Sequence, residues 1–123
     1  MNSQILRDAA LALLLGFAGL GTVLAEEHAD EALRHAEQAA QSTGDSAAIR
    51  EHANEALKHM EAAKAANQAN PRALKHLQHG ETDLNDAVSH ARHFNSQSAA
   101  DEAGDASRHL QQVQKPAAAT DAR

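Results

Sequence analysis

The sequence has no cysteine, tryptophan or tyrosine, and only two phenylalanines and two prolines, in 123 residues. Without cysteine there can be no disulfide framework, no thiolate zinc or iron–sulfur site and no covalent haem attachment, so any bound metal must be met by nitrogen and oxygen. The shortage of aromatic rings removes the stacking platforms on which single-strand nucleic-acid binders and most small-molecule pockets depend. No apolar run is long enough to suggest a membrane span. The longest, Ala9 to Leu20, stops short of the roughly 18 residues a spanning helix needs. Glu-x-x-His, the inward-facing motif of di-iron helical bundles, does not occur, nor does the His-Glu-x-x-His of zinc proteases or a glycine-rich phosphate loop. Catalysis is therefore not expected.

The apolar run follows Arg7 and leads to Val23-Leu24-Ala25, a small-residue pattern suited to cleavage. This is the grammar of a secretory signal peptide over residues 1–25, with the mature chain starting at Glu26 and an uncleaved amphipathic anchor as the alternative. Export predicts a periplasmic location, or secretion, and no stable membrane insertion after cleavage. Removing Arg7 and Asp8 with the leader leaves 10 basic against 16 acidic side chains, an excess of six negative charges. Such a surface disfavours nucleic acid and attracts cations.

The mature chain is dominated by alanine, glutamate, lysine, arginine and glutamine, all good helix formers. Breaks at Ser42-Thr43-Gly44-Asp45, Asn70-Pro71 and Asn95-Ser96-Gln97-Ser98 divide it into four predicted helices, 26–41, 46–68, 71–94 and 98–115, followed by a tail over 116–123. Asn70 is a candidate N-cap before Pro71 at the first helical position. Gly80 is a candidate kink in the third helix, and Phe94 a candidate core plug at its end. The segment His28-Ala-Asp-Glu-Ala-Leu-Arg-His35 recurs as His52-Ala-Asn-Glu-Ala-Leu-Lys-His59, an internal duplication of one helix. One heptad frame serves all four helices. Leu33, Leu57, Leu74, Val88 and Ser107 take position a, residues such as Ala36, Ala53, Met60, Leu77, Leu84 and Leu110 take d, and g is mostly alanine. The expected fold is all-α, a small antiparallel up-down four-helix bundle spanning 26–115 with a thin core.

Nine histidines in so short a chain are the main functional clue. In the heptad frame His28, His35, His52, His59, His76, His90 and His109 all occupy position c, and His79 and His93 follow three residues on at f. Glu31, Glu55 and Asp86 also occupy f, and Asp83 occupies c. Side chains three or four apart lie on adjacent turns, about 5–6 Å between Cβ atoms, near enough to share an ion. Those seven apart are separated by about 10.5 Å of helix rise and are not. His76 with His79, and His90 with His93, are the strongest pairs within one helix. By the helical period, c lies about 100° from the expected centre of the apolar face, so the ligands should flank the bundle and leave cross-helix partners, water or another molecule to complete each shell. Nitrogen and carboxylate donors suit Cu(II), favoured by the usual affinity order, with Ni(II) or Zn(II) as alternatives. Bridging of exposed histidines by metal offers a route to dimers.

The His-x-x-Glu-Ala-Leu-[Arg/Lys]-His units at 28–35 and 52–59, with Leu84-Asn-Asp-Ala-Val-Ser-His90 and Ala106-Ser-Arg-His109-Leu, resemble the small metal-binding protein family of bacterial periplasms. That resemblance implies a His-rich helical bundle that handles copper and other divalent metals, with a role in metal tolerance. The chain is sparser in histidine than that pattern, above all in the fourth helix, where His109 stands alone. A different class of function remains open: an exported helical bundle that holds a protein partner, for which an exposed apolar patch would be the signature.

Overall fold

The computed structural model describes residues 23–115; residues 1–22 of the leader read over 1–25, and the tail over 116–123, lie outside the described residues. Four helices follow one another: α1 over 23–41, α2 Ser46–Ala66, α3 Pro71–Arg92 and α4 Ser96–Gln114. They form an up-down-up-down bundle, an all-α fold. Helix α1 includes Val23, Leu24 and Ala25, so it runs straight through the expected boundary at Glu26. None of the described helices is long and apolar enough to cross a membrane.

The helix starts follow from their caps. Asp45, Asn70 and Asn95 each accept a hydrogen bond from the backbone N–H three residues on, at 2.9, 3.1 and 3.4 Å, satisfying one of the donors that a helix N-terminus orphans. Pro71 follows Asn70 at N1, where its missing N–H costs nothing. Gly44, at φ +94°, turns the chain between α1 and α2. Helix α4 starts two residues earlier than expected because Asn95, and not a serine after it, is the cap. Helix α3 stops at Arg92, where Phe94 N–H bonds to Ala91 O (3.1 Å) and Asn95 N–H to His90 O (3.0 Å), the paired bonds of a Schellman motif. Phe94 thus takes the left-handed position, at φ 58°, that glycine usually fills. The motif aims its ring into solvent, 87% exposed, so Phe94 is not a core plug. Gly80 does not split α3, which runs unbroken from Pro71 to Arg92. A Cβ there would lie 3.1 Å from Met60 Cε, a tight contact with the end of a flexible α2 side chain, and at ordinary contact distance from α4, 3.6 Å from Ala106 O and 3.7 Å from His109 Cβ.

The core is centred between heptad positions d and g. Ala36, Ala53, Met60, Leu77, Leu84 and Leu110 at d are fully buried, and so are Ala32, Ile49, Ala56, Ala87 and Ala106 at g. At position a, Val88 and Ser107 are buried, whereas Leu33, Leu57 and Leu74, expected within the apolar face, are only half-buried. Alanine allows the closest helix approach, so the alanine-rich d and g rows form the contact and the bulkier a leucines are displaced to its edge. Among the described residues only Ile49, Met60, Leu77, Leu84 and Leu110 are large and fully buried, each contributing roughly 1.5–3 kcal/mol, so the core is thin.

This recentring moves the histidines. At about 100° per residue, c lies about 70° from the d/g mid-line, a about 90° away on the other side, and f about 130° away. Position c is therefore a groove position, and all seven of its histidines are half-buried, whereas His79 and His93 at f are exposed. The bundle's hand decides which grooves they share. The a sides meet between α2 and α3, where Lys64 bonds Glu81 at 2.8 Å. They meet again between α4 and α1, where Gln114 donates to Asp30. The c sides meet between α1 and α2, and between α3 and α4.

Candidate metal centres in two grooves

Antiparallel packing of the duplicated helices relates residue n of α1 to residue n + 24 of α2: His28 to His52, Glu31 to Glu55, Arg34 to Lys58 and His35 to His59. The geometry obeys this pseudo-two-fold relation. The four imidazoles form a ladder along the α1–α2 groove in the order His28, His59, His35, His52, with ring centroids 5.6, 5.8 and 5.8 Å apart. The two outer steps are equivalents of one another, and the His35–His59 step spans the axis. The flanking ion pairs are equivalents too: Arg34 holds Glu31 at 2.7 Å and Lys58 holds Glu55 at 2.6 Å.

At the centre of the ladder Glu31, His35 and His59 each direct one donor atom so that all three atoms lie within 4.8 Å of one another. A tetrahedral ion with nitrogen ligands at about 2.0–2.1 Å sets neighbouring donors about 3.3–3.4 Å apart, so modest side-chain rotation closes this group. His28 Nδ1 and His59 Nδ1 already stand at 3.3 Å. His35 Nδ1 is buried with no hydrogen-bond partner, a donor atom left free for a ligand.

The protonation states suit a cation. Burial, and then the positive charge of Arg34, push the His35 pKa down, which favours the neutral imidazole that binds metal. The Arg34 hydrogen bond lowers the pKa of Glu31, and the Lys58 hydrogen bond lowers that of Glu55, so both carboxylates are ionised at neutral pH. The i, i+3 spacing of Arg34 from Glu31 and of Lys58 from Glu55 carries this pairing.

The other groove is less regular. His109 of α4 faces α3, its ring 5.2 Å from His79 and 5.8 Å from His76, and its Nε2 is 3.7 Å from Asp83 Oδ2. Neither these four side chains nor His90, His93 and Asp86, farther along α3, form a group of three convergent donors among the described residues. Asp86 and His93 are exposed, and the His93 Nδ1–H donates to Ser89 O at 2.8 Å.

No curated protein and no solved structure matches this chain. The model of one family does, over residues 3–113, and it carries the description "small metal-binding protein". Given a histidine-lined helical bundle and a match across nearly all of its length, the chain belongs to the small metal-binding protein family.

Proposed function

We propose that this protein binds and buffers divalent transition metals in the periplasm, Cu(II) first and Ni(II) or Zn(II) as alternatives, without catalysing a reaction. The convergence of Glu31, His35 and His59 in the α1–α2 groove carries the reading, with His28, His52 and Glu55 as the neighbouring donors of the same ladder. Copper comes first because nitrogen and carboxylate donors on a half-exposed surface follow the usual affinity order. The periplasmic setting rests on the leader pattern before Glu26. Groove sites open to solvent exchange ions readily, which suits buffering better than permanent storage. His90, His93 and Asp86, near the α3 C-terminus, supply two-donor sites at best within one chain, and a second molecule could complete them in a metal-bridged dimer.

The partner-holding alternative calls for a contiguous apolar patch. Among the described residues the large exposed hydrophobics are Val23, Leu24 and Phe94, and the up-down topology sets the first two at the opposite end of the bundle from the third. Calorimetric titration of metal-free wild type and of the His35→Ala/His59→Ala variant with Cu(II) tests the proposal. Loss of the tightest binding step in the variant, with helical content retained, supports it. An unchanged isotherm refutes the assignment of the centre.

A further inference from the structure

We propose that Arg34 is a resident counter-ion of the α1–α2 centre: its guanidinium holds lone pairs of Glu31 and His35, must release His35 before an ion can bind there, and so restrains the affinity of the site. The inference rests on the metal-binding reading above and adds to it a residue that opposes filling.

The contacts of Arg34 carry the argument. Its Nη2 lies 2.7 Å from Glu31 Oε2 and 3.2 Å from His35 Nε2, and its Nε lies 3.2 Å from the same carboxylate oxygen. One guanidinium therefore bridges two of the three side chains that converge on the centre, Glu31, His35 and His59. Arginine has N–H groups and no acceptor, so in its contact with the imidazole it must donate. A neutral imidazole has one lone pair and one proton. With Arg34 donating to Nε2, the lone pair stands on that nitrogen, and the proton sits on Nδ1, which is buried without a hydrogen-bond partner.

A metal ion needs the same lone pair. An ion arriving at Nε2 displaces the guanidinium directly. An ion arriving at Nδ1 requires the proton to move to Nε2, where it would face the Arg34 N–H donor to donor. Either route breaks the Arg34–His35 contact. Both side chains of the Arg34–Glu31 pair are well exposed, 53% and 40%, so the guanidinium can swing into water and the restraint is graded, not absolute.

The duplicated helix supplies an internal comparison. Lys58 stands three residues after Glu55 and one before His59, as Arg34 does to Glu31 and His35. Lys58 nevertheless bonds Glu55 alone among the described residues, at 2.6 Å. An ammonium is a point charge on a flexible stem, whereas the planar fork of arginine reaches two groups at once. The hold on an imidazole is thus confined to one half of the pseudo-symmetric ladder.

The test uses the full chain and reads the imidazole before any metal is added. Long-range proton–nitrogen correlation spectra of ¹⁵N-labelled, metal-free protein at pH 8 should show His35 in the Nδ1–H tautomer in wild type, and a shift towards Nε2–H in Arg34→Met. Titration with Cu(II) against a competing chelator should then show binding about three- to tenfold tighter in Arg34→Met than in wild type, the worth of one modest hydrogen bond. Lys58→Met removes the same charge from the symmetry-related place and should gain distinctly less. Circular dichroism should show the bundle intact in both, since both side chains are exposed. An Nε2–H tautomer in wild type, equal gains in the two variants, or unchanged or weaker binding in Arg34→Met would each overturn the role of Arg34 and leave the metal centre standing. Absence of Cu(II) binding in wild type would refute the metal-binding reading, and this role with it, whichever tautomer His35 holds.

Discussion

Replacing His35 by leucine should make the metal-free protein more stable while abolishing most of its response to metal. His35 lies half-buried in the α1–α2 groove, its Nδ1 shielded from water without a hydrogen-bond partner and its charged form disfavoured by burial. A buried polar atom left unpaired costs about 1–3 kcal/mol. The lower end applies here, because the groove is open and Nε2 keeps a contact with the Arg34 guanidinium at 3.2 Å. Leucine is similar in size, removes the orphan and adds apolar contact beside Ala32 and Ala36, so apo stability should rise by about 1 kcal/mol. In a domain of this size that corresponds to roughly 4–8 °C in Tm. Metal acts by linkage: free ion at 100 times Kd stabilises wild type by about 2.7 kcal/mol, and a centre deprived of His35 should give much less. Thermal unfolding followed by circular dichroism, with chelator and with Cu(II), measures both quantities. A variant that is less stable without metal would show that His35 is a structural histidine, and an undiminished metal shift would show that it is not a ligand.

Phe94→Gly should stabilise the bundle by about 0.5–1 kcal/mol, because a left-handed non-glycine residue costs roughly 1–2 kcal/mol, glycine returns part of that through unfolded-chain entropy, and the exposed ring has little packing to lose; a lower urea midpoint would show that the ring packs after all. Leu84→Ala, at a fully buried position of the thin core, should cost about 2–5 kcal/mol in chemical denaturation, whereas a loss below 1 kcal/mol would place the core elsewhere. The pH dependence has a definite sign. His35 and His76 have folded pKa values below 6.5, so the unfolded chain binds more protons, and the stability present above about pH 6.5 is lost as pH falls through that value. Asp83, raised above 3.8 by burial, acts in the opposite sense, favouring the fold as pH drops through its raised pKa. Metal-free protein should therefore have a lower urea midpoint at pH 5.5 than at pH 7.5, and a higher one would show that the carboxylate outweighs the imidazoles.

The helices were legible in the sequence because their signals are local: a 3.6-residue period, Asp45, Asn70 and Asn95 as caps, and Pro71 at N1. The histidine stripe was legible for the same reason, as a property of one helix at a time. Which stripes face one another was not, since that depends on the hand of the bundle, and the duplication of α1 in α2 says nothing about it until the helices pack. The centre of the core was misplaced towards Leu33, Leu57 and Leu74 because bulk suggests burial, whereas in this bundle the rows of alanine set the closest helix approach. That shift turned c from a flank position into a groove position, and single-helix pairs such as His76 with His79 into parts of cross-helix groups. Phe94 was misread because its hydrophobicity points inward while the backbone hydrogen bonds that end α3 turn it out.

The central claim is that histidines converging across the grooves bind divalent transition metal. Calorimetric titration of the metal-free protein with Cu(II), Ni(II) and Zn(II), at pH 7.5 and again at pH 5.5, tests it most directly. The account predicts micromolar or tighter sites, Cu(II) tightest, that weaken sharply at the lower pH as protons compete for the imidazoles. Binding no tighter than that of a histidine-free helical bundle of equal charge, at either pH, would contradict it.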